Sequence, residues 1–431
     1  AMALALDDRV MILAPHPDDE AINCGGLISR ARGMGLPVRI VFLTYGDNNE
    51  LSFIAYRHRP ILAPSGVMAM GEVRRAEAVR SAARLGVDEK DLVFLGYPDF
   101  GTLDIWTAHW GRTRPYRGML SRAKKVEYLS ALRAGAPFKG EAILEDIKTT
   151  FRDFRPTRVF VSHPADANPD HQAFYLFARV ALWDLEPELK PSLHPYLTHF
   201  HGWPEPEAFL PESPLEPPAR YDAGTAWRVF PLEPNGREAK RAAIEAHVSQ
   251  CLYSRRYMLS FVRRNELFCD FPDVAVRPQS ERPETPDFDA PETDSRCAAD
   301  AGGAMLVGAK RQTAYVADGD LVVEVEFGRP LGQMVGVCFE CFGYRRDRPF
   351  ADMPKLRVHA TSVAHICFDQ NKRVPSSWVS VKHGPRKVRM RIPLARLGGP
   401  RKVFIQTRIG LLEAPLDPAE WRVLDLEESG P

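Results

Sequence analysis

The chain has 431 residues, of which 45% are hydrophobic and 26% are charged, and its formal net charge is +1 at pH 7. This length exceeds one ordinary hydrophobic core and predicts two domains. The near-neutral charge excludes a global electrostatic attraction to nucleic acid or to an anionic membrane, and no run of 18 or more apolar residues is present to span a bilayer.

The first half of the chain alternates short apolar runs with amphipathic stretches, which is the pattern of βαβ units around a mostly parallel sheet. The predicted strands are Val10–Ala14, Val38–Thr44, Leu92–Leu95 and Arg158–Ser162. The predicted helices are Glu20–Met34, Glu72–Leu85, Ala142–Phe154, His171–Leu185 and, after a proline-rich stretch, Arg237–Tyr253. Together these elements predict a Rossmann-like layered α/β domain over residues 1–270.

A long connection follows the third predicted strand and mixes aromatic residues with arginines, namely Trp106, Trp110, Tyr116, Arg112, Arg114 and Arg117. In one interpretation the aromatic rings stack on sugar rings and the arginines meet a phosphate or carboxylate. In the other, the aromatic residues anchor the loop by hydrophobic contacts and the arginines are solvated. The sequence leaves both open.

The last third of the chain has a different pattern. Residues 271–300 carry repeated prolines and acids and predict an extended linker. Beyond it, "LVVEVEF", "KVRMRIPL" and "KVFIQTRI" alternate apolar and polar residues with period two. This predicts an antiparallel β-sandwich over residues 301–431. Trp378 and Trp421 are interpreted either as core residues of this sandwich or as a binding platform.

The seven cysteines have no framework spacing, which favours reduced thiols. Cys338 and Cys341 form a C-x-x-C, but they lie in a strand-like stretch with no second pair, so they are interpreted as strand residues. The first ten residues lack the basic region of a signal peptide. The cytoplasm is therefore the default location, while an export signal removed ahead of this sequence stays open.

The stretch "APHPDDE" places a histidine and adjacent carboxylates directly after the first predicted strand. Residues that come directly after a strand of an open parallel sheet lie at the carboxyl edge of that sheet, where ligands bind. His16 and Asp19 are therefore predicted to share a small cation, while Asp18 points elsewhere. Zinc hydrolases usually take three protein ligands and leave a fourth position to water. The best candidate for the third is His171, which opens a helix after another strand, in "HPADANPDHQA".

An ordinary helix start is the competing interpretation, because acids are favoured in a first helical turn and aspartate is a good N-cap. It explains one or two of the acids in "APHPDDE". It explains neither the histidine nor the second His/Asp-rich strand exit.

These two motifs together resemble the PIG-L or LmbE-like family of zinc-dependent de-N-acetylases, over roughly the first 255 residues. The resemblance implies that His16, Asp19 and His171 bind Zn²⁺, and that Asp18 is the base that deprotonates a zinc-bound water. It also implies an N-acetylated amino sugar or glycoconjugate as substrate, from which acetate is released. A mixed His/Asp site also accepts other divalent metals, such as iron, cobalt or manganese.

Further positions match the family by resemblance. Arg74, in "RRAEAVRSAARLGV", is either a substrate contact or a solvated arginine on a helix. Asp99, in "LGYPDFG", corresponds to an acid that contacts sugar hydroxyls in relatives. His247 and Gln250, in "KRAAIEAHVSQ", either face the substrate or form a packed helix face with satisfied polar groups.

One position departs from the family pattern. Relatives carry H-P-D-H in the second motif, and the first of these histidines is assigned as an acid or oxyanion stabiliser, whereas this chain has Asn168 there. Asparagine donates a hydrogen bond but cannot protonate a leaving amine. The preferred hypothesis is that Asp18 acts first as base and then as acid. Alternatively His163, His199 or His201 supplies the proton, or the protein is a poor catalyst.

Two acids near the third ligand are candidates for orienting it. A carboxylate that accepts the distal N–H of a ligand histidine fixes the tautomer of that histidine. Asp166 and Asp170 are both placed to do so for His171. Asp170 alternatively caps the helix that it begins.

Three functions are consistent with these patterns. The leading one is a metal-dependent hydrolase that deacetylates an N-acetylated sugar or glycoconjugate. The alternatives are a glycan-binding protein that keeps the metal pocket without efficient turnover, and an amidohydrolase that acts on a non-sugar N-acyl compound. The C-terminal part faintly resembles carbohydrate-binding modules of the family 9 or DOMON type, although sandwiches recur without shared function. The oligomeric state is not predicted.

Overall fold

The computed structural model describes residues 2–49, 63–218, 221, 225–276, 287–288, 309–328, 330–331, 335–411, 414–417 and 420–426. Its internal contacts divide the chain into two compact units. Unit 1 comprises Ala1–Pro218 and Ala226–Asp270, and unit 2 comprises Ala219–Thr225 and Phe271–Pro431. Most of the predicted linker lies outside the described residues, while Val274–Val276 within it is a strand of unit 2.

Unit 1 is built on a five-stranded, all-parallel sheet with the order β3-β2-β1-β4-β5. Its strands are β1 Val10–Ala14, β2 Val38–Thr44, β3 Leu92–Tyr97, β4 Arg158–Ser162 and β5 Ser192–Tyr196. The connecting helices are α1 Asp19–Gly33, α2 Pro64–Arg84, α3 Thr102–Ala108, α4 Gly140–Phe154 and α5 Pro169–Leu185. This arrangement confirms the predicted Rossmann-like α/β class.

The strand order places a topological switch point at β1. From β1 the chain runs outward to β2 and β3 on one side, and it later returns to β4 and β5 on the other side. Adjacent loops at the carboxyl ends of β1 and β4 therefore leave in opposite directions and open a crevice. The two His/Asp motifs of the sequence follow these two strands.

Two helix predictions need correction. The predicted helix Glu72–Leu85 begins earlier, at Pro64, whose fixed φ suits the first helical turn. The predicted single helix Arg237–Tyr253 is wrong, because the segment forms α6 Pro234–Glu245 and α7 Val248–Leu259. His247 separates them with a non-helical conformation, φ −81° and ψ 65°. An antiparallel pair, β6 Ala226–Pro231 and β7 Asn265–Asp270, flanks these helices.

The aromatic residues of the long connection after β3 are packing residues. Trp106 and Trp110 are fully buried, and both rings contact Phe177 of α5. The Trp110 Nε1–H group donates to the Trp106 carbonyl oxygen at 2.6 Å. Tyr116 is half-buried against His109. The sugar-stacking interpretation is therefore wrong for the two tryptophans, and the arginines of the loop are exposed, namely Arg112, Arg114 and Arg117.

Unit 2 consists of mostly antiparallel strands in two sheets, ordered β16-β17-β11-β10-β9 and β15-β14-β13-β12-β18-β20-β8. The strands are β8 Val274–Val276, β9 Asp287–Phe288, β10 Ala309–Ala317, β11 Asp320–Phe327, β12 Val335–Tyr344, β13 Lys355–Ala360, β14 His365–Asp369, β15 Lys372–Val374, β16 Ser380–His383, β17 Lys387–Pro393, β18 Lys402–Leu411, β19 Ala414–Asp417 and β20 Arg422–Leu426. The β20–β8 pair is parallel. Val323 and Val325 from one sheet share a core with Phe339 and Ile405 from the other, which makes the unit a sandwich.

Side chains of unit 2 follow the alternation of its strands. Trp421 is buried, whereas Trp378 is half-buried with the Arg396 guanidinium 4.5 Å from its ring centre. Cys341 belongs to the sandwich core and Cys338 faces the other side of β12, so the C-x-x-C consists of strand residues. The described cysteines are all free thiols: Cys24, Cys251, Cys269, Cys338, Cys341 and Cys367.

None of the helices in the described parts of the chain combines the length and the apolar character that crossing a bilayer requires. The helices of unit 1 instead bury one side on the sheet or on a neighbouring helix, as α4 does with Ile143, Ile147 and Phe151.

Candidate metal centre and active site

The crevice at the switch point brings the two His/Asp motifs of the sequence together. His16 follows β1, Asp19 begins α1, and His171 lies in the first turn of α5, which follows β4. Their possible ligand atoms all lie within 4.8 Å of one another. Asp19 Oδ2 is 3.1 Å from His171 Nε2 and 3.3 Å from His16 Nδ1. The three residues predicted to bind a metal are thus neighbours, and all three are buried.

The donor atoms of this cluster fit a divalent cation. No hydrogen-bond partner for His171 Nε2 exists among the described residues, although the atom is buried and faces a carboxylate oxygen. On the other side of the ring, His171 Nδ1 lies 3.0 Å from Ser162 Oγ and 3.2 Å from Asp166 Oδ2. These partners favour a proton on Nδ1, so Nε2, which faces Asp19, is the ring nitrogen at which a metal would replace a proton.

The electrostatics of the cluster also favour a cation. Burial lowers the pKa of His171, but Asp166 and Asp19 outweigh it and raise this pKa to about 9. Burial likewise opposes the charge on Asp19, yet His171 and His16 hold the pKa of this carboxyl well below its usual range. The surrounding carboxylates therefore stabilise a positive charge at this point. A bound Zn²⁺ ion supplies such a charge with nitrogen and oxygen ligands that suit it.

Asp18 and Asp19 are adjacent but lie in different surroundings. Asp18 has a positive φ of 136°, and its Oδ2 atom accepts a hydrogen bond from Arg74 Nη2 at 3.2 Å. A positive φ is uncommon for residues other than glycine, although aspartate and asparagine tolerate it better than most. Burial raises the pKa of Asp18 to about 6, and Arg74 opposes this shift. The Asp18 carboxylate is therefore separate from the ligand cluster and faces the same cavity.

Arg74 is buried and is not the solvated arginine that one interpretation of the sequence allowed. Besides Asp18, its guanidinium donates to the carbonyl oxygens of Pro17 and Gly46, each at 2.7 Å. These bonds connect α2 to the loops after β1 and β2. Arg74 therefore fixes the backbone that presents Asp18, and it also lines the cavity.

Asp99 and Asp170 contact the other ring nitrogen of the first histidine. His16 Nε2 lies 3.1 Å from Asp99 Oδ1 and 3.2 Å from Asp170 Oδ2. Asp170 also accepts hydrogen bonds from the backbone N–H groups of Phe100, at 2.6 Å, and Thr102, at 3.1 Å. Asp170 therefore orients His16, whereas Asp166 orients His171. The sequence had indicated Asp170 only as a partner of His171 or as a helix cap.

Asn168 has a structural role at the start of α5. It is the N-cap of α5, and its side-chain oxygen accepts a hydrogen bond from Asp170 N at 2.9 Å. It also lines the cavity. The Asn168 side chain thus caps the helix and gives the cavity wall a polar group that does not ionise.

His199 lines the same cavity as Asn168, and its backbone carbonyl accepts a hydrogen bond from Ala167 N at 2.8 Å. Its Nδ1 atom is 3.0 Å from Asp166 Oδ1, its ring centre is 4.7 Å from that of His171, and it lines the cavity. His163 is buried, with Nδ1 accepting a hydrogen bond from Ala165 N. His201 is exposed and does not line the cavity. Of the three histidines that the sequence left open, His199 is the one at the site.

His247 lies beneath the site and does not line the cavity. Its Nε2 atom is 2.9 Å from Glu20 Oε1, and the other carboxylate oxygen of Glu20 accepts a hydrogen bond from Asp18 N at 2.9 Å. His247 thus supports the backbone of Asp18 through Glu20. Gln250, by contrast, reaches the cavity wall, and its Oε1 atom accepts a hydrogen bond from Asn49 Nδ2 at 3.1 Å.

The cavity over the cluster has a volume of about 790 Å³, which is within the usual range for small-molecule sites. Its wall includes residues that the sequence did not single out: Ile22, Asn48, Phe100, Glu207, Tyr253, Arg256 and Tyr257. Phe100 and Tyr253 are strongly exposed aromatic residues at the rim. No local sequence signal separates such rim residues from ordinary surface aromatics.

Comparison with known proteins relates this site to a family. Residues 11–182 match the PIG-L family, described as GlcNAc-PI de-N-acetylase. A deacetylase of 1D-myo-inositol 2-acetamido-2-deoxy-alpha-D-glucopyranoside from Streptomyces avermitilis is 30% identical over 193 residues, which cover 43% of this chain and 57% of the relative. The protein of the same name from Mycobacterium sp. (strain KMS) is 31% identical over 170 residues, which cover 38% of this chain and 46% of that relative. The chain thus spans about half the length of these curated relatives.

Among solved structures, N,N'-diacetylchitobiose deacetylase from Pyrococcus horikoshii is similar at 21% identity and a TM-score of 0.34, covering 56% of this chain and 70% of that one. The match to the PIG-L family includes the cluster residues after β1 and β4, since His16, Asp18, Asp19 and His171 all fall within residues 11–182.

Proposed function

Since residues 11–182 form a PIG-L family domain, we propose that this chain is a zinc-dependent hydrolase that removes the N-acetyl group from an N-acetylated amino sugar or glycoconjugate. The observation that carries the proposal is the cluster of His16, Asp19 and His171 in one cavity with the separate carboxylate of Asp18. The relatives that match the chain are named as deacetylases of an N-acetylglucosamine derivative, which supports the amide as the reacting group.

In this proposal His16, Asp19 and His171 hold the metal, which when bound supplies a water of lowered pKa and polarises the acetyl carbonyl. Asp18 takes the proton of the attacking water. A carboxylate whose burial raises its pKa to about 6 is still ionised at neutral pH and is a stronger base than a solvent-exposed aspartate. Arg74 holds Asp18 in place during this transfer. The products are acetate and the free amine.

The substrate contacts are chosen from the cavity wall. Arg74, Asp99 and Asn168 line the cavity, and we keep them as the predicted contacts to the hydroxyl and amide groups of a sugar. We do not keep His247 as a substrate contact, because its Nε2 atom is bonded to Glu20 and the residue does not line the cavity.

We assign the proton donor to His199 in place of the histidine that Asn168 replaces. In this role Asp166 holds the Nδ1 side of the His199 ring, and the ring lines the cavity, where an imidazole N–H hydrogen-bonds the developing oxyanion or protonates the leaving nitrogen. This assignment competes with the hypothesis that Asp18 returns its own proton to the amine.

Replacing His199 by alanine is expected to lower kcat about 100-fold, the usual size of a lost acid–base group, without loss of metal. The neighbouring exposed residue gives a matched control, and His201→Ala is expected to keep the wild-type kcat because it does not line the cavity. Initial rates of acetate release and the bound metal per chain measure both effects. An unchanged kcat in His199→Ala would assign both proton transfers to Asp18.

The proposed reaction is tested with the purified, metal-analysed chain and a panel of N-acetyl compounds. The panel contains N-acetylglucosamine, N,N'-diacetylchitobiose, an N-acetylglucosaminyl inositol and an N-acetylated amino acid. Acetate release from at least one of the amino sugars, matched by appearance of a free amine, is the expected result.

Two results would contradict the proposal. Binding of the amino sugars to a zinc-loaded chain without release of acetate would indicate a glycan-binding protein. Release of acetate from the amino acid alone would indicate an amidohydrolase on a non-sugar substrate.

A further inference from the structure

A second cavity lies wholly within unit 2, on the outer face of the sheet that contains β12, β13, β14 and β18. Its volume is about 480 Å³, and the side chains that define it are Cys338, Arg357, His359, Ile366, Phe368 and Arg408. We call it the unit 2 groove. All of its residues lie outside the PIG-L domain, so it is distinct from the metal centre.

The strand pattern explains why this face is open. The neighbouring positions Val337, Phe339 and Val358 point into the sandwich core, so the residues between them point outward. At one end of the groove Gly336 is paired directly with Gly410 on β18. The two glycines bring no side chain to this end of the groove, where a Cβ on Gly336 would lie 3.3 Å from the Ala360 carbonyl oxygen.

The charges of the groove are unequal. The Arg408 guanidinium donates to the buried Glu340 carboxylate at 2.7 Å and is neutralised by it. No carboxylate among the described residues lies within 4.0 Å of Arg357, whose Nη2 atom donates to the Gln370 carbonyl oxygen at 2.6 Å and to Asn371 Oδ1 at 3.4 Å. The groove therefore holds one positive charge that its own walls do not balance.

The other sheet of the same unit shows the usual arrangement. There Arg389 and Lys387 both pair with Glu324, and Arg391 pairs with Asp318 and Asp320. Outward-facing cations on that sheet thus have carboxylate partners across the strands. Arg357 also stands opposite an acid, Glu340 on β12, but the Glu340 carboxylate binds Arg408, so the two arginines of the groove share one carboxylate.

The wall next to Arg357 is apolar. The Phe368 ring lies 6.0 Å from the Arg357 guanidinium carbon, and the exposed Ile366 follows the same face of β14. The His359 imidazole lines the opposite side of the groove, whereas the Thr361 hydroxyl is bonded to the Ala364 backbone. A sugar ring matches this combination, because it has one face of C–H groups and a rim of hydroxyls.

We propose that the unit 2 groove binds an acidic sugar, a hexose that carries a carboxylate or a phosphate. The anionic group pairs with Arg357, and the C–H face of the ring packs on Phe368 and Ile366. Guanidinium groups bind both anions in a bidentate manner, so the shared chemistry is a planar or tetrahedral oxyanion on a pyranose. The site does not depend on the deacetylase proposal, because no residue of the metal centre contributes to it.

Titration calorimetry of the full chain with glucuronate, glucose 6-phosphate, glucose, inorganic phosphate and benzoate tests this site. Glucuronate or glucose 6-phosphate is expected to bind at least about ten times more tightly than glucose, and the comparison between them identifies the anion. Arg357→Gln is expected to weaken that binding about ten-fold or more. The matched control Arg386→Gln removes the same charge from an exposed turn of unit 2 and is expected to bind like wild type.

A second test uses only the wild-type chain, so its result does not depend on whether Arg357→Gln folds. The affinity of the wild-type chain for the acidic sugar is expected to fall as NaCl is raised, because the charge pair is partly exposed. The inference fails if neither acidic sugar binds, if Arg357→Gln and Arg386→Gln bind equally, or if benzoate or inorganic phosphate binds as tightly as the acidic sugars.

Discussion

Replacing Asp18 by asparagine is expected to lower kcat/KM for deacetylation about 1,000-fold while the bound metal per chain stays at the wild-type level. Asparagine has the same shape, tolerates the positive φ of this position, and still offers an oxygen to Arg74. It cannot accept a proton from water. The loss therefore reports the base itself rather than a change in folding or in the metal site.

The separation of Asp18 from the ligands makes this result specific. Its Oδ2 atom contacts Arg74, whereas the ligand atoms of the cluster come from His16, Asp19 and His171. The control is Asp7→Asn, which removes an exposed carboxylate outside the cavity and is expected to leave kcat/KM unchanged. Acetate release and elemental analysis of the same preparations measure both quantities.

Two outcomes would contradict the assignment of Asp18. Wild-type activity in Asp18→Asn would mean that another cavity carboxylate, such as Asp99, takes the proton. Loss of metal together with activity would mean that Asp18 is a ligand and that the cluster is wrongly composed.

The position of the candidate metal centre follows from the sequence because the relevant information is local. The apolar runs Val10–Ala14 and Arg158–Ser162 coincide with β1 and β4. The carboxyl ends of these neighbouring parallel strands meet at one edge, so residues just beyond them must be close in space. To predict that His16, Asp19 and His171 lie close together, it is enough to know which segments are strands and that these strands are parallel.

The orientation of the ligands depends on contacts that no local pattern contains. Asp170 turns to His16 because the backbone N–H groups of Phe100 and Thr102, about 70 positions earlier, bind its carboxylate. The selection of His199 over His163 and His201 likewise depends on where the segment after β5 passes Asp166. Such partners are set by tertiary packing and not by spacing along the chain.

The burial of aromatic residues also cannot be predicted from the sequence alone. Trp106 and Trp110 lie in a segment with the composition of a binding loop, yet both pack on Phe177 of a helix more than 60 positions later. A long polar connection and an anchored one have the same composition, because the difference is the presence of an apolar surface beneath them. The sequence does not predict the unit 2 groove for a related reason. Which arginine of the groove has a carboxylate partner depends on the residues that oppose each other across β12, β13 and β18.

Replacing His171 by alanine is expected to lower the affinity for Zn²⁺ by well over 100-fold, and to abolish acetate release at ordinary metal concentrations. The Asp166→Ala change removes only the partner that fixes the tautomer of His171, so a loss of about 10–100-fold in affinity is expected. His201→Ala, at an exposed histidine outside the cavity, is expected to bind Zn²⁺ like wild type. Competition with a chromophoric chelator gives the three affinities without any activity measurement.

The same series distinguishes the proposed site from a neighbouring arrangement that shares His16. The atoms of His16, Asp99 and Asp170 also lie within 4.8 Å of one another, so an ion could bind there on geometric grounds. Asp170, however, is already engaged by two backbone N–H groups, whereas His171 Nε2 has no donor among the described residues. If His171→Ala still bound one Zn²⁺ per chain and Asp99→Asn lost it, the metal would be assigned to that second arrangement. The opposite pair of results is expected, because the His16, Asp19 and His171 cluster offers two imidazoles and one carboxylate, a ligand set that suits Zn²⁺, whereas the other arrangement offers only one imidazole.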